Sequence, residues 1–449
     1  MNVGGLMYDI LAIQNKWVNK LVWLRRRVIV RAVQRTLLSL FPFALLGSIA
    51  RVVSISFLSD KGFINSILAM PKWFPNFRLV KLLFNNFATF TIGILALLAA
   101  YYCAKYTAEF YRKDQQVAGI TGLISYLFVC MVNVSENGDG IINLPVDAMM
   151  LGANGILLGL LVGYITGQIF RKFGGIDLKK AKSHSPNVLE KAFNSLLAII
   201  LSFLVAIVIN GLLYLFFRYG VYDAIADYVT SISLKHSNFS MTLFGTFVTT
   251  IFAWLGFSGP YQYRSFVDDN TSVENLNYAL KYHSVWGVPH PFSEYSLYHS
   301  FGAFGGIGSI LALIVAILIV SGAGSYRRVG VSGLIPTLFN SGTSVMIGLP
   351  VMFNPLYLIP FILTPILNIV IATLAIIAHI MPPVVYPVPM GTPGPLVAFI
   401  GTGGNFVALI IGVIVFFIDI IVYIPFVKLN EQIWLKMQYI YLQEEKEGE

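Results

Sequence analysis

Apolar stretches long enough to cross a bilayer alternate with short polar ones along nearly the whole chain. A spanning helix needs about 20 mostly apolar residues. Such runs fall at roughly 29–58, 84–108, 116–134, 149–170, 195–217, 240–257, 303–322, 356–380 and 400–427. Three further stretches, near 258–302, 333–352 and 382–399, are apolar or aromatic but broken by Gly and Pro. They read as loops and re-entrant hairpins, because a membrane tolerates broken backbone only where protein or a water-filled cavity covers it. The pattern predicts an all-α polytopic membrane protein.

Composition agrees with the pattern. The 449 residues are 57% hydrophobic and 11% charged, whereas an ordinary soluble domain carries roughly 25% charged residues. The net charge of +9 collects at the ends of apolar runs, so it signals topology rather than nucleic-acid binding. Lys16, Lys20 and Arg25–Arg27 precede the first run, Arg112 and Lys113 follow the second, and Arg171 to Lys191 follow the fourth. The loop Ser135–Asp147 between the third and fourth runs carries Glu136, Asp139 and Asp147 and no Lys or Arg. Positive loops stay inside, which places the N-terminus and the 171–191 loop in the cytoplasm. The loop at 59–82, with Lys61, Lys72, Arg78 and Lys81, departs from this rule. The first 24 residues lack the uninterrupted apolar region of a cleavable signal peptide. Cys103 and Cys130 sit in apolar runs and suggest buried thiols, neither a disulfide framework nor a metal site. The window "KSHSPNVLEKAFNSLLAI" spaces its apolar residues either as a cytoplasmic amphipathic helix or as a solvated basic loop.

The most irregular stretch is "FNSGTSVMIGLPVMFNPLYLIPFILTP", Phe339–Pro365, with six prolines and glycines in an otherwise oily segment. Its first part offers Asn340, Ser341, Thr343 and Ser344 and no charge. A broken membrane helix of this kind exposes backbone and side-chain groups that suit a hydroxyl-rich ligand.

Six fragments, in order, carry a resemblance: "FPFALLGSIARVV" (41–53), "FTIGILALLAAYYCAKY" (90–106), "LGANGILLGLLVGYITGQIFRKF" (151–173), "PFSEYSLYHSFGAFGGIGSILAL" (291–313), "GLPVMFNPLYLIPFILTP" (348–365) and "VPMGTPGPLVAFIGTGG" (388–404). Together they resemble the membrane-embedded IIC permeases of the bacterial phosphotransferase system, in the lactose/cellobiose/chitobiose branch. The resemblance implies about ten spans, two re-entrant hairpins, a homodimer and a sugar site near the bilayer midplane. It also implies a division into a dimerisation and scaffold part, 1–217, and a substrate-binding transport part, 218–449. The sugar would be phosphorylated at the cytoplasmic face by a IIB partner carrying a phosphocysteine, itself served by IIA. No cofactor is implied.

The chain departs from the family's pattern at the residues that matter for chemistry. Where the family usually has Gly-Ile-His-Gly, this chain has Gly256-Phe257-Ser258-Gly259. Where it usually has Phe-Asn-Ile-x-Glu-Pro, this chain has Phe339-Asn340-Ser341-Gly342-Thr343-Ser344. Met390 stands where the third motif has Trp, ahead of Gly391 and Thr392. A sugar hydroxyl loses its proton as it attacks phosphorus, and a positioned His or Glu can take it. Ser258 and Thr343 form hydrogen bonds but are not bases near neutral pH. The resemblance therefore nominates Trp254, Gly256, Ser258, Gly259, Asn340, Thr343, Met390 and Thr392 as substrate-binding residues, and leaves enzymatic competence open.

Three histidines and an acid could supply the missing base: His283, His290 and His299, with Glu294. The same residues could equally be backbone-bonded members of an aromatic interfacial segment. His379 near the end of its span suggests an interfacial residue, and Asp419 inside the last span must face protein or water, partnered by a hydroxyl or an arginine. Asn210 and Asn368 suggest hydrogen bonds between helices. Three functions compete: a phosphotransferase IIC-type permease for an oligosaccharide or disaccharide, a non-phosphorylating permease or facilitator, and a permease-derived membrane receptor or scaffold.

Overall fold

The structure, a computed structural model, describes residues 18–131, 135–136, 142–143, 146–175, 193–216, 238–262, 266, 269–322 and 324–447. Most of the possible amphipathic helix after the fourth run lies outside the described residues.

The described chain is built almost wholly of helices. The longer helices of the N-terminal half are α1 (Val28–Val52), α2 (Phe77–Thr91), α3 (Leu95–Phe110), α4 (Gln115–Val129), α5 (Ile156–Phe173) and α6 (Leu196–Phe216). The C-terminal half holds α7 (Phe239–Trp254), α8 (Asn270–Tyr282), α9 (Ile310–Val320), α10 (Ser325–Leu338), α11 (Thr343–Gly348), α12 (Pro355–Ile377), α13 (Gly394–Gly401) and α14 (Phe406–Glu447). A two-residue ladder pairs Ser135–Glu136 with Ile142–Asn143. Among the described residues, seven helical segments are long and apolar enough to cross a membrane, and α4 and α7 are shorter apolar helices. All nine fall on runs that the sequence pattern marks.

Small residues draw the N-terminal helices together. Gly159 and Gly163 of α5 lie against the backbone of Ala96 and Ala100 of α3, leaving no room for a side chain. Small residues facing each other let membrane helices approach closely. These faces thus pack within one chain. Asn210 of α6 donates to the Val129 and Met131 carbonyls at 3.1 and 2.7 Å, a polar tie between α6 and the end of α4.

The C-terminal half keeps its breaks where Gly, Pro and Asn place them. Asn354 accepts from the Leu356 N–H at 3.2 Å with Pro355 next, a capped start for α12. The broken stretch near 382–399 contains one more helix than the hydrophobic pattern indicates, α13. Pro395 stands in its first turn, where a missing N–H has no intrahelical partner to lose. The last span accordingly starts at Phe406 rather than near 400. Upstream, α8 lies within 258–302, and Tyr295–Gly302 winds as a π-helix that leads into α9. Phe339–Gly342 reverses the chain between α10 and α11, with Asn340 at φ +63°. The helical hairpin so formed packs against α1, and Gly348 touches the Phe41 ring.

Candidate sugar site

A cavity of about 490 Å³ opens between the two halves. Arg51, Ser56 and Asn154 line it from the N-terminal half, and Ser258, Asn340 and Thr343 from the C-terminal half. Three of the eight nominated residues therefore meet at one space from positions far apart in sequence.

Each reaches the wall by a local device. Gly256, at φ +75°, turns the chain out of α7, and the Ser258 hydroxyl then donates to Asn154 Oδ1. Gly259 has no space for a side chain beside Thr249, and its N–H donates to Gln262 Oε1 at 2.8 Å. Asn340 bridges three segments. Its Oδ1 accepts from the Gly305 N–H at 3.0 Å and its Nδ2 donates to the Thr392 carbonyl at 2.8 Å. The Asn340 amide thus clamps the wall that it lines. Thr343 opens α11 and presents its side chain to the cavity.

The remaining nominated residues support the wall without lining it. Trp254 Nε1 donates to the Asn354 carbonyl at 3.1 Å, and its ring tilts against Phe353. The Met390 backbone pairs with the loop after α1, accepting from Phe63 at 2.9 Å and donating to Lys61 at 2.8 Å. Thr392 is buried, with its hydroxyl on the Pro389 carbonyl. Of this loop only Gly391 reaches the cavity.

Among the three candidate histidines, only His299 lines the cavity. Its Nε2 lies 3.2 Å from Oε1 of Glu294, which is buried. With Nε2 so occupied, Nδ1 is the second ring nitrogen left to exchange a proton. His290 pairs with Glu274 at 2.7 Å on an exposed surface, and His283 ends α8 in a left-handed turn. His379 stacks on Trp286 at 5.7 Å at the exposed end of α12. Among the described residues, no group of three or more His, Cys, Asp or Glu converges on a metal position.

Arg51, Asn154 and Gln262 also line the cavity and were not nominated from sequence. Arg51 carried a readable signal, being a charge inside a spanning helix. Asn154 lies inside the quoted "LGANG" fragment.

Residues 34–365 match the family model described as "Phosphotransferase system, EIIC". The chain belongs to the phosphotransferase system EIIC family. As a member of this family it is a multi-pass membrane permease component, which favours transport over the receptor reading. An oligo-beta-mannoside-specific EIIC component of Bacillus subtilis is 27% identical over 76% of each chain. A cellobiose-specific EIIC component of Lactococcus lactis is 37% identical, over 26% of this chain and 24% of its own. A lactose-specific EIICB component of Staphylococcus epidermidis is 23% identical, over 76% of this chain and 59% of its own. Among solved structures, the transporter ChbC, the IIC component from the N,N'-diacetylchitobiose-specific phosphotransferase system, overlaps 91% of this chain and 94% of its own, at 19% identity and a TM-score of 0.40.

Proposed function

We propose that this EIIC component carries a disaccharide or short oligosaccharide across the bacterial cytoplasmic membrane, with the cavity between its halves as the sugar site. The observation that carries this reading is the convergence of Ser258, Asn340 and Thr343, from separate motifs, on one 490 Å³ space rimmed by amides and hydroxyls. Such groups match the donor and acceptor pattern of sugar hydroxyls, and broken helices around a central site are the usual build of a transporter. The relatives' names, oligo-beta-mannoside, cellobiose and lactose, support the size class. The partners are a phosphorylated IIB protein and, upstream, IIA. The protomer works as a homodimer with a cytoplasmic N-terminus, residues 1–217 forming the scaffold against which 218–449 moves.

Binding of β-linked and α-linked disaccharides to the purified full-length protein in lipid nanodiscs tests the site. Saturable binding that weakens in Thr343→Val is expected. Binding left unchanged by Thr343→Val and by Asn154→Leu would move the site elsewhere.

A further inference from the structure

Arg51 sits in the last turn of α1, just before the helix rewinds as a π turn over Val53–Phe57, a form that often marks functional sites. Arg51 is exposed, and it lines the cavity. Several other arginines of the described chain have side-chain partners. Arg25 donates to Asn430, Arg35 faces Glu109, Arg27 lies over Trp23, and Arg327 donates to two carbonyls. The Arg51 side chain has no hydrogen bond or ion pair to any described residue.

Among the described residues lining the cavity, none is a carboxylate that could balance that charge. The nearby acid Glu294 is behind His299 and bonded to it. Besides His299, the remaining polar lining consists of neutral groups: the amides of Asn154, Gln262 and Asn340, and hydroxyls such as Ser341 and Thr343. A charge within a spanning segment normally pairs with another charge or with carbonyls, and otherwise marks a substrate path. A guanidinium presents a planar fork that matches a carboxylate or phosphate with two parallel hydrogen bonds.

We propose that the cavity takes an anionic carbohydrate, a disaccharide or oligosaccharide bearing a carboxylate or phosphate group, and that Arg51 holds the anion. This deepens the sugar-site reading and rests on it. Neutral amides and hydroxyls serve the sugar ring, while Arg51 selects the charged group. The anion has two possible sources: an acidic sugar unit in the incoming substrate, or a phosphoryl group on the sugar ester formed during phosphotransfer.

Three ligands of one skeleton separate these sources: cellobiose, its acid with a carboxylate at the non-reducing C6, and cellobiose 6′-phosphate. Each is titrated calorimetrically into the full-length protein in nanodiscs, for wild type, Arg51→Gln and Arg51→Lys. At least one charged ligand is expected to bind about tenfold or more tighter than cellobiose. Arg51→Gln removes that advantage, so that the charged ligands bind no tighter than cellobiose, while Arg51→Lys keeps part of it, having charge without the fork. A stronger gain for the acid identifies an acidic substrate; a stronger gain for the phosphate identifies the sugar ester. Should Arg51→Gln fail to fold, the wild-type advantage must still shrink as ionic strength rises. Cellobiose binding as tightly as both charged forms, or an advantage that survives in folded Arg51→Gln, overturns the proposal. Cellobiose binding alone leaves the sugar-site reading standing; failure of all three ligands to bind removes both.

Discussion

Around Asp419 the polar groups bond chiefly to one another; in the cavity the side chains of Arg51 and Thr343 face open space. Asp419 is fully buried in α14, and Asn368 of α12 donates to it at 2.9 Å and to the Phe301 carbonyl at 2.9 Å. The Gly308 carbonyl accepts from Tyr423 at 2.5 Å and from Thr364 at 3.4 Å. This cluster ties α12 and α14 to the break before α9. In the cavity, the side chains of Arg51 and Thr343 show no bond to described residues. The contrast separates two uses of polarity inside a membrane. Polar groups that close on each other hold broken helices in place, and polar groups left open offer themselves to a ligand.

Four measurements probe this contrast, the largest expected effect first. Neither Ser258 nor Thr343 can accept a proton near neutral pH, so Ser258→His with Thr343→Glu is expected to raise IIB-dependent sugar phosphorylation by about 10²-fold or more. The assay follows labelled sugar phosphate with a compatible IIB protein. A fast wild-type rate that His299→Gln abolishes would instead assign proton transfer to His299.

Asn340→Leu should affect both uses of polarity. It leaves the Gly305 N–H and the Thr392 carbonyl without their partner, at a loss of about 1–3 kcal/mol for a buried group. Thermal unfolding and sugar affinity should fall together, whereas Thr343→Val should lower affinity alone. A stable Asn340→Leu protein with weakened binding would make Asn340 a ligand contact rather than a clamp.

Trp254→Phe tests whether a nominated site residue acts through the wall. Losing the indole bond to Asn354 should lower stability by about 1 kcal/mol and leave ligand preference unchanged. A shift in preference would bring Trp254 into the ligand's reach. The smallest effect belongs to His290→Gln, since an exposed pair contributes at most about 1 kcal/mol. Transport and its pH profile should stay as in wild type; a changed profile would return His290 to the list of proton carriers.

The spans were legible because a 20-residue apolar run has few other uses, and polar flanks fix its ends. Ser258, Asn340 and Thr343 were legible through their motifs. Arg51 was visible as a charge in a span, but the sequence does not say which side of a helix meets a cavity. His299 could not be told from His283 and His290 by spacing. It lies in the π-wound Tyr295–Gly302 segment, where the 3.6-residue period that assigns faces no longer applies. Trp254, Met390 and Thr392 were nominated through the resemblance; in the structure their bonds go to Asn354, to Lys61 and Phe63, and to Pro389 and Asn340. Asp419 was expected to meet a hydroxyl or an arginine; the Ser309 hydroxyl is among its partners, and the Asn368 amide joins it.

The backbone pairing of Met390 with Lys61 and Phe63 makes a latch across the molecule. It joins the connector that leaves α1 to the loop that Asn340 holds from the other side. If the loop at 388–393 travels with the C-terminal half, the latch gives two choices. Either the connector after α1 swings with it, or two hydrogen bonds break at each stroke and re-form on the return. Gly391, between latch and clamp, lies on the cavity wall, so a stroke that opens the latch also reshapes the chamber.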